Sequence, residues 1–285
     1  MTTPLPSTFS TLRVHTQHGV CTLTLNRPEV RNAMSLTMVN ELLGALHHAE
    51  SSGDVRLIVL RGAGGHFCAG GDIADMAKAR MTLAAQRSQG HAVEGSHSHD
   101  PVAEFNAQFG RLCLAYARTH LPVITVLEGT VMGGGFGLAC VADVSLALHT
   151  TVFRLPETSL GVIPAQIAPF LVERLGPSQA RRLAITGAKV LADQALAMGL
   201  VHEVAATADA LDSALQRTVQ QVLACAPQAI GTTKDLMARA RFERADQLIE
   251  DAARLFSQAV LSDEGQEGTG AFMQKRKPKW VPQQG

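Results

Sequence analysis

Two glycine-rich segments each stand between an apolar run that predicts a buried strand and a pattern that predicts a helix. The first, 62–71, follows residues 55–60, and the second, Gly133-Gly134-Gly135, follows residues 122–127. Glycine lets the backbone approach a ligand closely, and the first N–H groups of a helix lack partners and carry positive potential. One N–H from each segment, directed at a single oxygen, would form an oxyanion hole. A tight turn packed on a neighbouring strand remains the alternative for either segment alone.

Strand and helix patterns alternate along the first two thirds of the chain. Residues 20–25 alternate apolar and polar side chains, residues 143–148 predict another strand, and Ser35 is a plausible N-cap for a helix with apolar residues on one face. From about residue 177 the pattern is helical, with helices expected over 180–186, 191–198, 210–224, 228–239 and 246–260. This predicts an α/β fold with a core over 1–205 and a helical region over 206–285. Residues 81–100 lose periodicity and predict a mobile loop or insertion.

The composition disfavours several classes of function. The chain of 285 residues carries 25 basic and 25 acidic side chains and is 4% aromatic, which argues against a nucleic-acid partner. Residues 1–10 do not resemble a secretory signal, and no apolar run reaches the length of a membrane span. The five cysteines form no C-x-x-C pair, as is typical of reduced core thiols. We therefore expect a cytoplasmic protein with no membrane partner.

Nucleotide and hydrolase motifs are missing from the sequence. The run 62–67 begins as G-x-G but ends on Phe67, no glycine loop leads into Lys-Ser or Lys-Thr, and no G-x-S-x-G is present. His91, His97 and His99 lie in a polar stretch without periodicity, so a solvated loop is expected there and no metal site.

Glu157 is the carboxylate that the sequence singles out. It lies in the apolar, turn-rich segment 155–164. Such surroundings disfavour the charged form of a carboxyl group and suit a general acid or base. An exposed turn residue or N-cap is the alternative.

Taken in order, five segments resemble the enoyl-CoA hydratase/isomerase (crotonase) family: 26–28, 67–73, 133–135, 156–164 and 272–276. The resemblance extends from about residue 12 to about residue 279. It implies a spiral of ββα units, C-terminal helices that assemble a homotrimer or homohexamer, and an acyl-CoA substrate with no separate cofactor. It also implies an oxyanion hole from the N–H groups of Gly71 and Gly134. The residues that it places along coenzyme A or the thioester are Val30, Ala69, Gly71, Asp72, Ile73, Gly134, Phe272 and Lys275. In this family the last two can come from a neighbouring subunit.

One position departs from the common hydratase pattern of two glutamates. The second glutamate matches Glu157, but the first falls on Gly137. Segments 32–36, 135–140, 155–160, 163–170 and 274–278 resemble the isohexenylglutaconyl-CoA hydratases of acyclic terpene degradation, and in part the methylglutaconyl-CoA hydratases. The resemblance therefore predicts hydration of a branched 2,3-unsaturated acyl-CoA, with Glu157, Gly71 and Gly134 as catalytic residues. A double-bond isomerase, another reaction on the same scaffold, and a non-catalytic acyl-CoA binding protein remain alternatives.

Overall fold

The computed structural model describes residues 9–88 and 100–282 of the chain. Its strands are β1 (Leu12–Gln17), β2 (Val20–Leu25), β3 (Leu57–Gly62), β4 (Val123–Leu127), β5 (Thr130–Met132), β6 (Val144–Leu148), β7 (Val152–Arg154), β8 (Lys189–Leu191) and β9 (Glu203–Ala205). They form a six-stranded sheet of order β1-β2-β3-β4-β6-β9 and a three-stranded sheet of order β5-β7-β8. The pairs β1–β2 and β7–β8 are antiparallel, and the other pairs are parallel.

Helices cover both sheets and form the C-terminal part of the chain. They are α1 (Leu36–Ser51), α2 (Ile73–Ser88), α3 (Pro101–Arg118), α4 (Gly134–Val141), α5 (Ala168–Thr186), α6 (Ala192–Ala197), α7 (Ala208–Leu223), α8 (Pro227–Arg239), α9 (Ala245–Leu261) and α10 (Asp263–Met273). Single 3-10 turns occur at Pro28–Val30 and Glu157–Leu160. No helix in the described part of the chain is both long and apolar enough to cross a membrane.

Strand β3 shows why the central strands are mostly apolar. Ile58 and Leu60 face the larger core, which α1, α3 and α4 complete, whereas Leu57 and Val59 face a second core under α7. Because successive strand residues point to opposite faces and both faces are covered, all four of these residues are buried.

Most predicted elements of the first two thirds are confirmed. Ser35 caps α1 by accepting a hydrogen bond from the Met38 N–H at 3.2 Å. The strands expected over 20–25 and 143–148 are β2 and β6, and each predicted glycine segment leads into a helix. The helices expected beyond residue 205 are α7, α8 and α9, each within two residues of its predicted limits.

The loop predicted over 81–100 is wrong in its first part, because α2 continues to Ser88. This helix has no buried residue, so the sequence shows no apolar stripe by which to recognise it. The next helix begins at Pro101, and the Asp100 side chain accepts hydrogen bonds from the N–H groups of Val102 and Ala103. The rest of the predicted loop, with His91, His97 and His99, lies outside the described residues.

The purely helical pattern expected after residue 177 is also incomplete. Strands β8 and β9 lie in that region, and each has only three residues, which is too short for a period-two pattern. Helix α5 begins at Ala168, before the expected start, and bends where Gly176 (φ 69°) precedes Pro177. Gly187 ends α5 in the left-handed region, as predicted.

Candidate active site

Three parallel segments bring the predicted site residues to one edge of the smaller sheet. Cys68 pairs with Val131 of β5, and Val131 pairs with Phe153 of β7, all in the parallel sense. Parallel segments in register end on the same side. Gly71 and Gly134 lie three positions after Cys68 and Val131, and Glu157 lies four positions after Phe153.

Direct contacts confirm that the three segment ends meet. A Cβ atom built on Gly70 would lie 3.8 Å from the Cα atom of Gly133. A Cβ atom built on Gly133 would lie 3.0 Å from Glu157 Oε1. Glycine is needed at position 133, where φ is 48° and the carboxylate is adjacent.

Among the glycines at the start of α4, Gly134 keeps an available N–H group. The Gly133 N–H donates to the carbonyl oxygen of Arg154 at 3.2 Å. The Gly135 N–H faces the thiol of Cys68, and a side chain at position 135 would collide with that cysteine. The N–H of Gly134, the first residue of the helix, has no acceptor among residues 9–88 and 100–282.

The Gly71 N–H is free for a different reason. Residue 71 forms a parallel bridge with Met34, in which the Met34 N–H donates to Gly70 at 2.7 Å and the Asp72 N–H donates to Met34 at 3.0 Å. In a parallel bridge the flanking residues make both bonds, so the N–H of the central residue points away from the partner strand. Gly71 is exposed, and a Cβ atom added to it would meet nothing within 4 Å.

A buried asparagine holds the loop that supports Gly71. The side chain of Asn32 is fully buried, and its Nδ2 donates to the carbonyl oxygens of Ala63 at 2.9 Å and His66 at 2.7 Å. Its Oδ1 accepts the Arg27 N–H at 2.8 Å. Asn32 adopts a left-handed conformation with φ 57°, which asparagine tolerates better than most residues. These bonds join segment 27–34 to segment 62–71.

Glu157 lies at the meeting point without an ionic partner among the described residues. Burial raises the pKa of its carboxyl group, and a hydrogen bond from its own backbone N–H only partly opposes that effect. Its Oε2 is buried and has no hydrogen-bond partner in the described part of the chain. A raised pKa makes an unpaired carboxyl group a better proton acceptor, and such a group can serve as a general acid or base.

The surroundings of Gly137 are apolar. A Cβ atom on this residue would overlap the Cγ2 methyl of Ile167 and would lie 3.6 Å from Phe109 Cε1. The same phenyl ring lies 3.1 Å from the position of a Cβ atom on Gly134. Phe109 and Ile167 therefore form an apolar wall next to the first two turns of α4.

The residues predicted to lie along coenzyme A differ in their exposure. Val30 is 40% exposed and Ile73 is 77% exposed. Ala69 is half-buried, and its N–H donates to the Arg31 carbonyl at 3.0 Å.

Asp72 has a structural role that the sequence did not reveal. Its carboxylate forms a 2.7 Å ion pair with Arg27 and accepts the N–H of Ala74 at 2.8 Å at the start of α2. Burial opposes ionisation, but the hydrogen bonds from Arg27 and the α2 backbone prevail and lower the pKa of this carboxyl group. Its charge is therefore already balanced within the chain.

Phe272 and Lys275 lie at the far end of α10. Phe272 is 86% exposed, and Lys275 follows the helix with φ 54°. No contact within the described residues joins either side chain to Gly71, Gly134 or Glu157.

Known proteins resemble this chain along nearly its whole length. The enoyl-CoA hydratase/isomerase family model matches residues 15–283. The chain belongs to this family. It is 30% identical to the probable enoyl-CoA hydratase echA8 of Mycobacterium bovis over 96% of this chain and 99% of the relative. It is 28% identical to the peroxisomal Delta(3,5)-Delta(2,4)-dienoyl-CoA isomerase of Arabidopsis thaliana over 99% of both chains.

Two solved structures share more of the sequence. An enoyl-CoA hydratase/isomerase from Marinobacter aquaeolei has a TM-score of 0.89 and 47% identity, over 95% of this chain and 99% of that one. Pseudomonas aeruginosa AtuE has a TM-score of 0.88 and 47% identity, over 96% and 100%. The α/β fold of this family member therefore matches crotonase-like structures. The relatives include both hydratases and an isomerase, so membership alone does not select the reaction.

Sequence reasoning did not identify Phe109 as part of the site. It lies on α3, far from any glycine motif, and only the packing of α3 against α4 brings it to Gly134. Ile167 falls within segment 163–170, which the sequence analysis singled out only because it resembles the isohexenylglutaconyl-CoA hydratases.

Proposed function

We propose that the protein is a hydratase that adds water across the 2,3 double bond of a branched acyl-CoA. The thioester oxygen would accept hydrogen bonds from the N–H groups of Gly71 and Gly134. Neither N–H group has an acceptor in the described part of the chain, and the two segments that carry them are in contact. Removal of one such donor in other enzymes slows turnover by about 100-fold to 1,000-fold. Glu157, adjacent to Gly133, would handle the proton.

The single observation that carries this proposal is the contact between Glu157 and the glycine turn of α4. A Cβ atom on Gly133 would lie 3.0 Å from Glu157 Oε1, so the carboxyl group is next to the donor at position 134. Water would lose a proton to Glu157 as its oxygen bonds to C3. The π electrons of the double bond would move to the thioester as an enolate, and Glu157 would return the proton to C2.

One carboxyl group suffices for these hydration steps because it accepts a proton from water and then returns the same proton to C2. The raised pKa supports this dual use, since the ideal pKa of a general acid-base group lies near the working pH. The apolar wall at Gly137 would leave Glu157 as the sole carboxylate of the described residues to act on the water.

An isomerase is the second candidate, and the same wall favours it. Ile167 and Phe109 enclose Gly137, the position that the family resemblance aligns with the other glutamate of a common hydratase. A single carboxyl group in an apolar site can also move a proton along an acyl chain without adding water.

For the substrate, we propose isohexenylglutaconyl-CoA or a similar branched thioester such as methylglutaconyl-CoA. The support is the resemblance of segments 135–140 and 163–170 to that branch, together with the apolar wall that segment 163–170 supplies. We further propose a homotrimer or homohexamer built by the C-terminal helices. Large exposed apolar side chains on α9 and α10 support an assembly, and they include Ile249, Phe256, Leu261, Phe272 and Met273.

Product masses distinguish the two reactions. The purified protein would be incubated with isohexenylglutaconyl-, methylglutaconyl-, crotonyl- and 3-enoyl-CoA thioesters. A hydratase yields products heavier by one water molecule, whereas an isomerase yields products of unchanged mass. Binding without any product would contradict both reactions and favour an acyl-CoA binding protein. The variant Glu157→Gln is the matched control.

A further inference from the structure

A pair of side-chain amides lies beside the apolar wall of the candidate site. Gln166 Nε2 donates to Asn106 Oδ1 at 2.9 Å, and both residues are half-buried. Asn106 precedes Phe109 by three positions on α3, so the two side chains share one face of that helix about 4.5 Å apart along its axis. Gln166 directly precedes Ile167. The elements that supply the apolar wall therefore also supply the amide pair.

Gly110 makes room for this pair. A Cβ atom at position 110 would overlap Gln166 Oε1 and would lie 2.8 Å from its Cδ atom. The carboxamide of Gln166 therefore lies directly against the backbone of α3. Glycine inside a helix lowers helix stability relative to alanine, so this contact is built at a cost to α3.

The pair leaves hydrogen-bond donors available. Asn106 Oδ1 is engaged by Gln166, but the Asn106 Nδ2 group has no acceptor among residues 9–88 and 100–282. The nitrogen of a side-chain amide carries two N–H groups. When neither has an acceptor within the protein, a ligand oxygen that accepts a hydrogen bond from them is stabilised.

We propose that Asn106 and Gln166 bind a carboxylate carried by the acyl chain of the substrate, and that they select dicarboxylic acyl-CoA thioesters over their uncharged analogues. This inference rests on the proposed function, because it places the acyl group between Glu157 and the wall of Phe109 and Ile167. A carboxylate matches the free donors because it offers two acceptor oxygens and forms stronger hydrogen bonds than a neutral acceptor.

The test compares two thioesters that differ only in the carboxylate. Methylglutaconyl-CoA carries it, and 3-methylcrotonyl-CoA lacks it. Asn106→Leu and Gln166→Leu should each lower kcat/KM on the first substrate at least tenfold and change it less than about twofold on the second, since only the carboxylate loses a partner. Asn106→Asp should lower kcat/KM on the first substrate further through charge repulsion.

Two more variants separate recognition from packing. Gly110→Ala keeps both amides but displaces Gln166, and it should reduce the same preference. Gln108→Leu, on α3 but bonded to Glu104 at 3.0 Å, should alter neither rate. An equal loss on both substrates, or no change on either, would overturn the inference.

A binding measurement keeps the inference separate from the proposed function. Titration calorimetry with glutaryl-CoA and butyryl-CoA reports carboxylate recognition without any chemistry. If the wild-type protein turns over none of the enoyl thioesters, the hydratase proposal fails. A preference for glutaryl-CoA that Asn106→Leu removes would still support the amide pair, and the absence of such a preference in the wild type would refute it.

Discussion

The Cγ2 methyl of Ile167 occupies the position that the first side-chain carbon of residue 137 would need. Residue 137 is therefore glycine for a steric reason, because any side chain there would overlap Ile167. Phe109 closes the same space from α3. The site is thus organised around one carboxyl group, that of Glu157.

This steric relationship predicts how substitutions at position 137 behave. Gly137→Ala should lower the free energy of unfolding by about 1–3 kcal/mol, because the buried site is already filled. In the background of Ile167→Leu, which removes the branch at Cβ while keeping the volume, the same change should cost less. Urea unfolding at one fixed protein concentration measures all four members of the cycle. Equal costs in the two backgrounds would show that Ile167 is not the obstacle.

The proposed oxyanion donor at Gly71 can be removed with a matched control. A Cβ atom on this residue meets nothing within 4 Å, so Gly71→Ala keeps the N–H without a clash and should retain kcat within a few-fold. Gly71→Pro lacks the N–H and should lower kcat by about 100-fold to 1,000-fold. Thermal unfolding checks that both variants fold. Similar kcat values for alanine and proline would remove Gly71 from the mechanism.

Asn32 should contribute strongly to stability. Asn32→Ala leaves the buried carbonyl groups of Ala63 and His66 without a donor and should cost at least about 2 kcal/mol in the free energy of unfolding. Arg31→Ala is the matched control, because Arg31 also has a left-handed backbone (φ 51°) but an exposed side chain. It should cost less than about 1 kcal/mol. Equal losses would mean that backbone conformation, rather than the buried bonds, sets the effect.

The raised pKa of Glu157 predicts a pH-dependent stability. A raised pKa means that the folded state holds this proton more tightly than the unfolded state, so stability falls as pH rises from the ordinary glutamate value through the folded pKa. Glutamine does not ionise. The stability of Glu157→Gln relative to wild type should therefore increase as pH rises above the ordinary glutamate pKa and level off once Glu157 is ionised in the folded protein. Denaturant unfolding across this range measures it, and a pH-independent difference would contradict the assignment.

The sequence predicted the parts of the site whose chemistry is local. Glycine runs at the ends of strand patterns mark Gly71 and Gly134, and a lone carboxylate in apolar surroundings marks Glu157. The family resemblance implied that these residues act together, and the parallel pairing of Cys68 with β5 and of β5 with β7 explains how they meet at one edge. The capping signal at Ser35 likewise needed only adjacent residues.

The features of the fold and the site that the sequence did not predict depend on contacts between residues far apart in the sequence or on elements with no periodic pattern. Asn106 and Gln166 are 60 residues apart, and no pattern in either segment announces their hydrogen bond. Strands β8 and β9 are too short for periodicity, and α2 buries no residue, so neither gives a reliable signal. The ion pair of Asp72 with Arg27 likewise depends on residues 45 positions apart, and its proposed contact with coenzyme A stays a prediction.

The most direct test of the central claim is the kcat of Glu157→Gln on the thioester that the wild-type protein turns over fastest. Glutamine keeps the shape but cannot move a proton, so kcat should fall by about 100-fold to 10,000-fold. The dissociation constant of a saturated acyl-CoA, measured in parallel by calorimetry, should stay within a few-fold of wild type. Undiminished turnover by this variant, with binding intact, would contradict the proposed role of Glu157.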